Sequence, residues 1–393
     1  MSATSWAYLS RVVEGPSHAL QQLLRAGRDA DEIAAGVRAR ASWLGRLGPE
    51  TEARHTWERA ETDLHDAAEQ GFALIHPGHP GWPAAEIEQA FDIGVRASTA
   101  NMETFREHGV APHALWVRGR TDLGALFANA VGVVGTRAAS AYGHHATADL
   151  ARGLAQRQYA MVSGGALGID SVAHEAALAN AAPTVVVAAC GPGVVYPRRN
   201  AGLFDRIVSN NGAIVTEYPP NVAPDRHRFL TRNRLVAALT QGTVVVEAAF
   251  RSGALNTLNW ANYYARTAFA VPGPILGPAS LGTNLAIRDG KAAMALSADD
   301  IHEMLSSIGD TDVDGQRELA FPADPIQSLS RNELRVYDAL PVAGTLGADD
   351  VAARAGLSVA LTVHLLVDLS RRAVVAREGA QWRRSAVPGV GSM

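Results

Sequence analysis

Nine consecutive residues, Arg226-His227-Arg228-Phe229-Leu230-Thr231-Arg232-Asn233-Arg234, hold four arginines, a histidine and an aromatic ring. Arginines flanking a phenylalanine suit a single nucleic-acid strand, because guanidinium groups track phosphates while the ring stacks on a base. The competing reading is a solvated face with Phe229 in the core. Four other segments combine glycine with hydroxyls or arginine. Gly135-Thr136-Arg137-Ala138-Ala139-Ser140 offers close backbone approach at Gly135, hydroxyls at Thr136 and Ser140, and a planar fork at Arg137. A helix beginning just after it would aim free N–H groups at the same spot. Ser163-Gly164-Gly165-Ala166-Leu167-Gly168 supplies three glycines of the kind that let backbone approach a phosphate. Cys190 to Asn200 and Phe250-Arg251-Ser252-Gly253 repeat the theme of glycine with arginine. One such loop is also what a tight turn with a surface arginine looks like; several on one rim point to a phosphate-bearing ligand.

Other chemistries fit less well. Asp170 and His174 stand four apart and share one helix face, as an acid–base pair could. A helix-start aspartate beside a buried histidine is the better reading. Cys190 is the sole cysteine and has no His and Asp partners fixed by spacing, so it reads as a small hydrophobe. A disulfide framework is excluded, and the 13 histidines show no His-x-x-x-His zinc spacing. The dinucleotide fingerprint G-x-G-x-x-G is absent from the first loop. The sequence therefore predicts neither metal nor cofactor.

The loops need a scaffold to bring them together. Val131–Val134, Ala160–Val162, Thr184–Ala188, Ala213–Thr216, Thr243–Val246 and Ala268–Val271 are continuously apolar, as expected of strands buried on both faces. The roughly 20–30 residues between them fit helical crossovers, giving βαβ units and a parallel sheet. Ligands of such sheets bind beyond the carboxyl ends of the strands, where these loops lie. Residues 1–62 are rich in Ala, Leu, Arg and Glu and read as short helices punctuated by Gly15-Pro16, Gly27 and Gly48-Pro49. His76 to Pro83 is turn-rich. Residues 63–306 then form the α/β domain, 307–328 a linker, and 329–385 a segment of three helices and a β-hairpin, the outline of a winged helix.

Composition sets the class. The chain has 393 residues, 47% of them hydrophobic and 19% charged, which gives two or three globular domains rather than a disordered chain. Its formal net charge is −4, so any basic site must be local. Lys291 is the only lysine, and the remaining basic residues are arginine. No run of about 18 apolar residues predicts a membrane span, and the N-terminus does not read as a signal peptide. The expected location is the cytoplasm.

These residues, in this order and spacing over about 115–300, resemble the DNA-processing protein A family (DprA, also called Smf). The resemblance is carried by Gly135-Thr136-Arg137 with Ser140, Ser163 through Asp170 to His174, Tyr196-Pro197 with Asn200, and Thr216-Glu217-Tyr218-Pro219-Pro220. It continues through Phe229 with Arg232-Asn233-Arg234, Val245 to Ala248 with Arg251-Ser252-Gly253, Val271 to Pro274, and Gly282-Thr283-Asn284 before Ile287 to Gly290. It implies an extended Rossmann-like domain flanked by a SAM-like helical domain and a winged-helix domain. It further implies a non-enzymatic homodimer that binds single-stranded DNA, protects it, and helps load the recombinase RecA in natural transformation and recombination. Carried onto this chain, the DNA-binding set is Gly135, Thr136, Arg137, Ser140, Ser163, Gly164, Gly165, Gly168, Phe229, Arg232, Asn233, Arg234, Arg251, Ser252 and Gly253. One departure stands out: relatives often have Pro-Arg before the Arg-Asn-Arg, and here Leu230-Thr231 removes a cation.

Two alternatives remain at this stage. Related Rossmann-like nucleotide phosphoribohydrolases carry glutamates where this chain has Asn259 and Trp260, and glycosidic chemistry normally needs a carboxylate there. A duplex-DNA regulator would act through the helix at Val359 to Ser370, which offers Thr362 and His364 but few cations before Arg371-Arg372.

Overall fold

Each of the six apolar runs forms a strand in the computed structural model, which describes residues 2–96, 103–306, 326 and 328–385. The chain divides into two compact units, Met1–Thr311 and Asp312–Met393. In the first, β1 (Phe72–Ile75), β2 (Leu115–Gly119), β3 (Ala130–Val134), β4 (Ala160–Ser163), β5 (Thr184–Val187), β6 (Ala213–Thr216), β7 (Gly242–Val245), β8 (Thr267–Ala270) and β9 (Ala293–Met294) make one sheet. Their spatial order among the described residues is β1-β2-β6-β5-β4-β3-β7-β8-β9. From β6 through β9 all neighbours pair in parallel.

The sheet is covered on both faces because its strands are apolar on both. In β3, Val131 and Val133 pack with Leu150, Leu154 and Ile169 on one face, while Val134 packs with Leu235, Val236 and Trp260 on the other. The first face is covered by helices Ala141–Gln156 and Ile169–Ala179, the second by Arg226–Ala238 and Gly253–Tyr263. After β3 the chain moves toward β4, and after β7 it moves the opposite way toward β8. This reversal opens a crevice between the carboxyl ends of β3 and β7.

Three strands of this sheet, β1, β2 and β9, were not singled out from sequence. β2 runs antiparallel to β6, and β1 antiparallel to β2. Leu74 of β1 and Trp116 of β2 share a buried cluster with Trp6, Leu9, Leu20 and Ile33, so this edge is where the N-terminal helices dock. Trp116 Nε1 donates to Ser10 Oγ at 3.0 Å. Arg11 grips both oxygens of buried Asp63 at 2.7 and 2.6 Å and donates to the Pro220 carbonyl at 2.7 Å. The expected boundary at 62/63 falls inside helix Ala60–Glu69, whose Ala60 and Ala67 belong to that same buried cluster. That helix packs as one piece with the N-terminal helices. The reason is tertiary: the Arg11–Asp63 pair ties the helix back to the first one.

In the second unit, helices Arg331–Ala339, Ala348–Ala355 and Val359–Arg371 enclose Val336, Val351, Leu366 and Leu369. A three-stranded antiparallel sheet of β10 (Leu346–Gly347), β11 (Val375–Glu378) and β12 (Gln381–Arg384), ordered β10-β12-β11, completes it. The expected linker over 307–328 lies, apart from 326 and 328, outside the described residues. Among the described residues no single helix is long and apolar enough to cross a membrane.

Two histidines are locked neutral by burial: His113 is pushed down to about 4 and His174 to about 3. In the unfolded chain both return to their ordinary value near 6.5, so acid favours unfolding. Stability is held above that value and falls as the pH drops below it, by about 1.4 kcal/mol per pH unit for each histidine. Urea unfolding at pH 7 and pH 5 measures this, and equal midpoints would contradict it.

Candidate nucleic-acid interface

The loop after β3 is fixed by a carboxylate that follows β7. Thr136 N–H donates to the Glu247 carbonyl at 2.8 Å. The buried Glu247 side chain accepts from Ser140 N–H at 3.0 Å and Ser140 Oγ at 2.6 Å. A Cβ at Gly143 would lie 2.1 Å from Glu247 Oε2, so the carboxylate sits tight against the first turn of helix Ala141–Gln156. The N-terminus expected to hold a ligand anion is thus occupied by the protein's own anion, and Ser140 faces Glu247 instead of the crevice. Arg137 escapes this network. It is exposed, with its guanidinium 5.2 Å from the Phe229 ring.

The loop after β4 is also satisfied internally. Asp170 Oδ2 accepts from Gly164 and Ala166 N–H, each at 3.2 Å, and Ser163 Oγ donates to the Val133 carbonyl at 2.6 Å. Gly168 has φ +80° and rests against the backbone of the first loop, where a Cβ would meet Thr136 O at 2.3 Å. A Cβ at Gly164 would collide with the Arg232 guanidinium at 2.2 Å. These glycines let loop pack on loop and admit an arginine. Burial raises the Asp170 carboxyl, against the opposing pull of Arg232 and the loop amides. Asp170 and His174 do not pair, since His174 Nδ1 meets Thr184 Oγ1 at 2.7 Å. Cys190 donates to the Val194 carbonyl at 3.2 Å, and burial pushes its thiol up to about 11.

The arginine-rich run begins helix Arg226–Ala238, capped by Asp225. Helical geometry then separates its cations. Arg226 is exposed at the crevice. Arg228 turns to the helical module and bonds Glu14. Arg232 is buried at the cleft floor, donating to the Val187 carbonyl with its Nε left unpaired; burial lowers its pKa. Arg234 is fully buried, donating to Glu217 at 2.6 Å and to the Val110 carbonyl at 3.2 Å. It cannot reach a strand on the rim. Phe229 is partly exposed, with the Tyr196 ring 5.4 Å away and tilted 53°.

These pieces line an open cleft of ≈ 700 Å³. Of the expected residues, Gly135, Thr136, Arg137, Gly164, Phe229, Arg232, Asn233, Arg251, Ser252 and Gly253 line it; Ser140, Ser163, Gly165, Gly168 and Arg234 do not. The expected set left out Tyr196, Asn256 and, although it stood in the basic run, Arg226, which also line it. Tyr196 stood in the Tyr-Pro pair that carried the resemblance, and that was the available signal. On the β7 side, Ser252 caps helix Gly253–Tyr263, and Asn233 Nδ2 donates to Asn256 Oδ1 at 3.2 Å. Among the described residues Arg137, Arg226 and Arg251 meet no carboxylate within ion-pair distance. The lining carboxylates, Asp170 and Asp225, both accept from backbone N–H groups. The arrangement offers free guanidinium groups around a pair of rings, which can hold phosphates and stack bases.

A family model described as DNA recombination-mediator protein A matches residues 96–306. A putative DNA processing protein DprA of Mycobacterium tuberculosis is 42% identical over 383 residues, which cover 97% of this chain and 94% of that protein. The DNA processing protein DprA of Streptococcus pneumoniae is 39% identical over 191 residues, 49% of this chain and 66% of that protein. The X-ray structure of the S. pneumoniae protein matches with a TM-score of 0.62 at 26% identity, covering 78% of this chain and 99% of that one.

The two classes of arginine separate by experiment. Arg234→Ala strands Glu217 in the core and lowers stability by about 3–5 kcal/mol. Arg137→Ala removes an exposed side chain and changes stability by no more than about 0.5 kcal/mol. Urea midpoints of the two variants, measured against wild type, check both values.

Proposed function

The chain belongs to the DNA recombination-mediator protein A family, and from that premise we propose that it binds single-stranded DNA in the cleft between the ends of β3 and β7. The observation that carries this reading is the constellation of exposed Arg137 beside the Phe229 and Tyr196 rings, with Arg226 and Arg251 on the same rim. A strand lying there has its phosphates on the guanidinium groups and its bases on the rings. Gly135, Thr136, Gly164, Ser252 and Gly253 supply close backbone around it, and Arg232 supports Phe229 from below, 6.0 Å from the ring.

The function is binding without covalent chemistry. Asp170 and Asp225 are engaged with amides, and Trp260, where the hydrolases have a needed carboxylate, is buried with its Nε1 directed to the Leu230 carbonyl at 3.3 Å. Protection of incoming DNA and RecA loading in transformation follow as the roles of such a protein. A homodimer would present two clefts to one long strand and gain by effective concentration. The helical module and the C-terminal unit act as SAM-like and winged-helix appendages. In the latter, helix Val359–Arg371 exposes Val359, Val363 and Val367, which favours contact with protein over reading of duplex DNA.

Fluorescence anisotropy with labelled oligothymidylate and equal-length duplex, at two salt concentrations, tests the central reading. Single strand is preferred, affinity falls steeply with salt, and Arg137→Ala loses at least about tenfold, as expected when a phosphate contact with its released counterion is removed. Equal affinity for duplex, or an unaffected Arg137→Ala, would sink it. Truncation after Ser328 tests the C-terminal unit: single-strand affinity in the cleft stays, while RecA loading or assembly falls. A truncated protein normal in both would remove its assigned role.

A further inference from the structure

The helical module holds an aromatic group that the main cleft does not use. Trp57 is 43% exposed and pairs with no other ring among the described residues. With Arg11, Arg59, Pro220 and Asn221 it lines a second cleft of ≈ 430 Å³. Arg11 is committed to Asp63 and the Pro220 carbonyl. Arg59 is not: its Nε lies 3.8 Å from Asp63 Oδ1, an oxygen that already holds Arg11 at 2.6 Å, and its side chain is half exposed. A large exposed ring beside a loosely held guanidinium stacks a base and attracts its phosphate.

Position supplies the second observation. Pro220 and Asn221 follow β6, so this cleft opens at the same carboxyl edge of the sheet as the main one. The main cleft begins at Pro224 and Asp225. Three residues of chain span at most about 11 Å, so the walls of the two clefts stand no farther apart than that. The connection is pinned. Asn221 N–H donates to the Pro192 carbonyl at 2.8 Å, and the Val222 carbonyl accepts from Gly191 N–H at 3.0 Å. The Asp66 carboxylate, 3.3 Å from Asn221 Nδ2, offsets much of the local positive charge, so this site contributes through stacking more than through attraction.

We propose that Trp57 and Arg59 form a second subsite for the same single strand, taking a base that leaves the main cleft over Asn221 to Pro224. The inference rests on the single-stranded DNA reading of the main cleft and extends the footprint onto the helical module. It predicts a length dependence located at one residue. Wild type gains affinity when oligothymidylate is lengthened from about six to about twenty nucleotides. Trp57→Ala loses about tenfold of that gain, the worth of one base stacked on an aromatic ring, and Trp57→Phe recovers most of it. The same length dependence in Trp57→Ala and wild type would overturn the proposal and leave Trp57 as a protein contact. Failure of wild type to bind either oligonucleotide would instead overturn the main-cleft reading, and this one with it. Loss in Trp57→Ala without recovery in Trp57→Phe would also count against stacking.

Discussion

Glu247 is the residue on which the geometry of the rim depends. Its carboxylate joins the end of β7 to the loop after β3 through both the N–H and the hydroxyl of Ser140. The same negative charge sits at the start of a 16-residue helix, where the backbone dipole is most favourable to an anion. In dinucleotide-binding sheets a ligand phosphate takes that place. Here the site is filled from within, so the polyanion of the proposed function would lie above the loops, against side chains that project from them. The crevice persists as a shape, while the free guanidinium groups that line it, Arg137, Arg226 and Arg251, stand on side chains outside that network.

Buried charge serves the same end elsewhere. Arg232 occupies the space that a side chain at Gly164 would need, donates to the Val187 carbonyl and underlies Phe229. Asp170 faces it and gathers the amides of Gly164 and Ala166. Together they fix a loop with no regular structure of its own, at the desolvation cost of two buried charges that attract each other without meeting within ion-pair distance. Two residues further along the helix, on its other side, Arg234 forms a buried ion pair with Glu217 and anchors Val110, which precedes β2. The rim is rigid because its polar atoms are spent on one another.

How much of this was legible follows from what each residue depends on. The six core strands could be read because burial on both faces leaves an unbroken apolar run. β1 and β2 are as short, but they lie at an antiparallel edge, and their role in docking the N-terminal helices exists only in three dimensions. Helix Ala60–Glu69 runs across the expected boundary at 62/63 because Arg11 meets its Asp63, 52 residues away. The arginine run was recognised as basic, yet its division among solvent, Glu14, the cleft floor and the core follows from helical turn and neighbours, which composition does not encode. Glu247 was visible only as part of a strand-end motif. Its partner Ser140 is 107 residues away, and nothing local to either marks the contact.

If the cleft takes a single strand as proposed, its selectivity follows from which groups remain free. Asn233 and Asn256, the side chains best suited to reading base edges, are bonded to each other, and Thr136 Oγ1 accepts from Ala138 N–H. The free groups are guanidinium forks, which meet phosphates of any sequence, and ring faces, which meet any base. On the proposed reading, a surface of that composition would distinguish single strand from duplex, since only unpaired bases can lie flat on Phe229 and Tyr196, but would carry little information about sequence. On the same reading the attraction of the cleft for DNA comes from Arg137, Arg226 and Arg251, so a ligand that cannot also stack would have less to hold it.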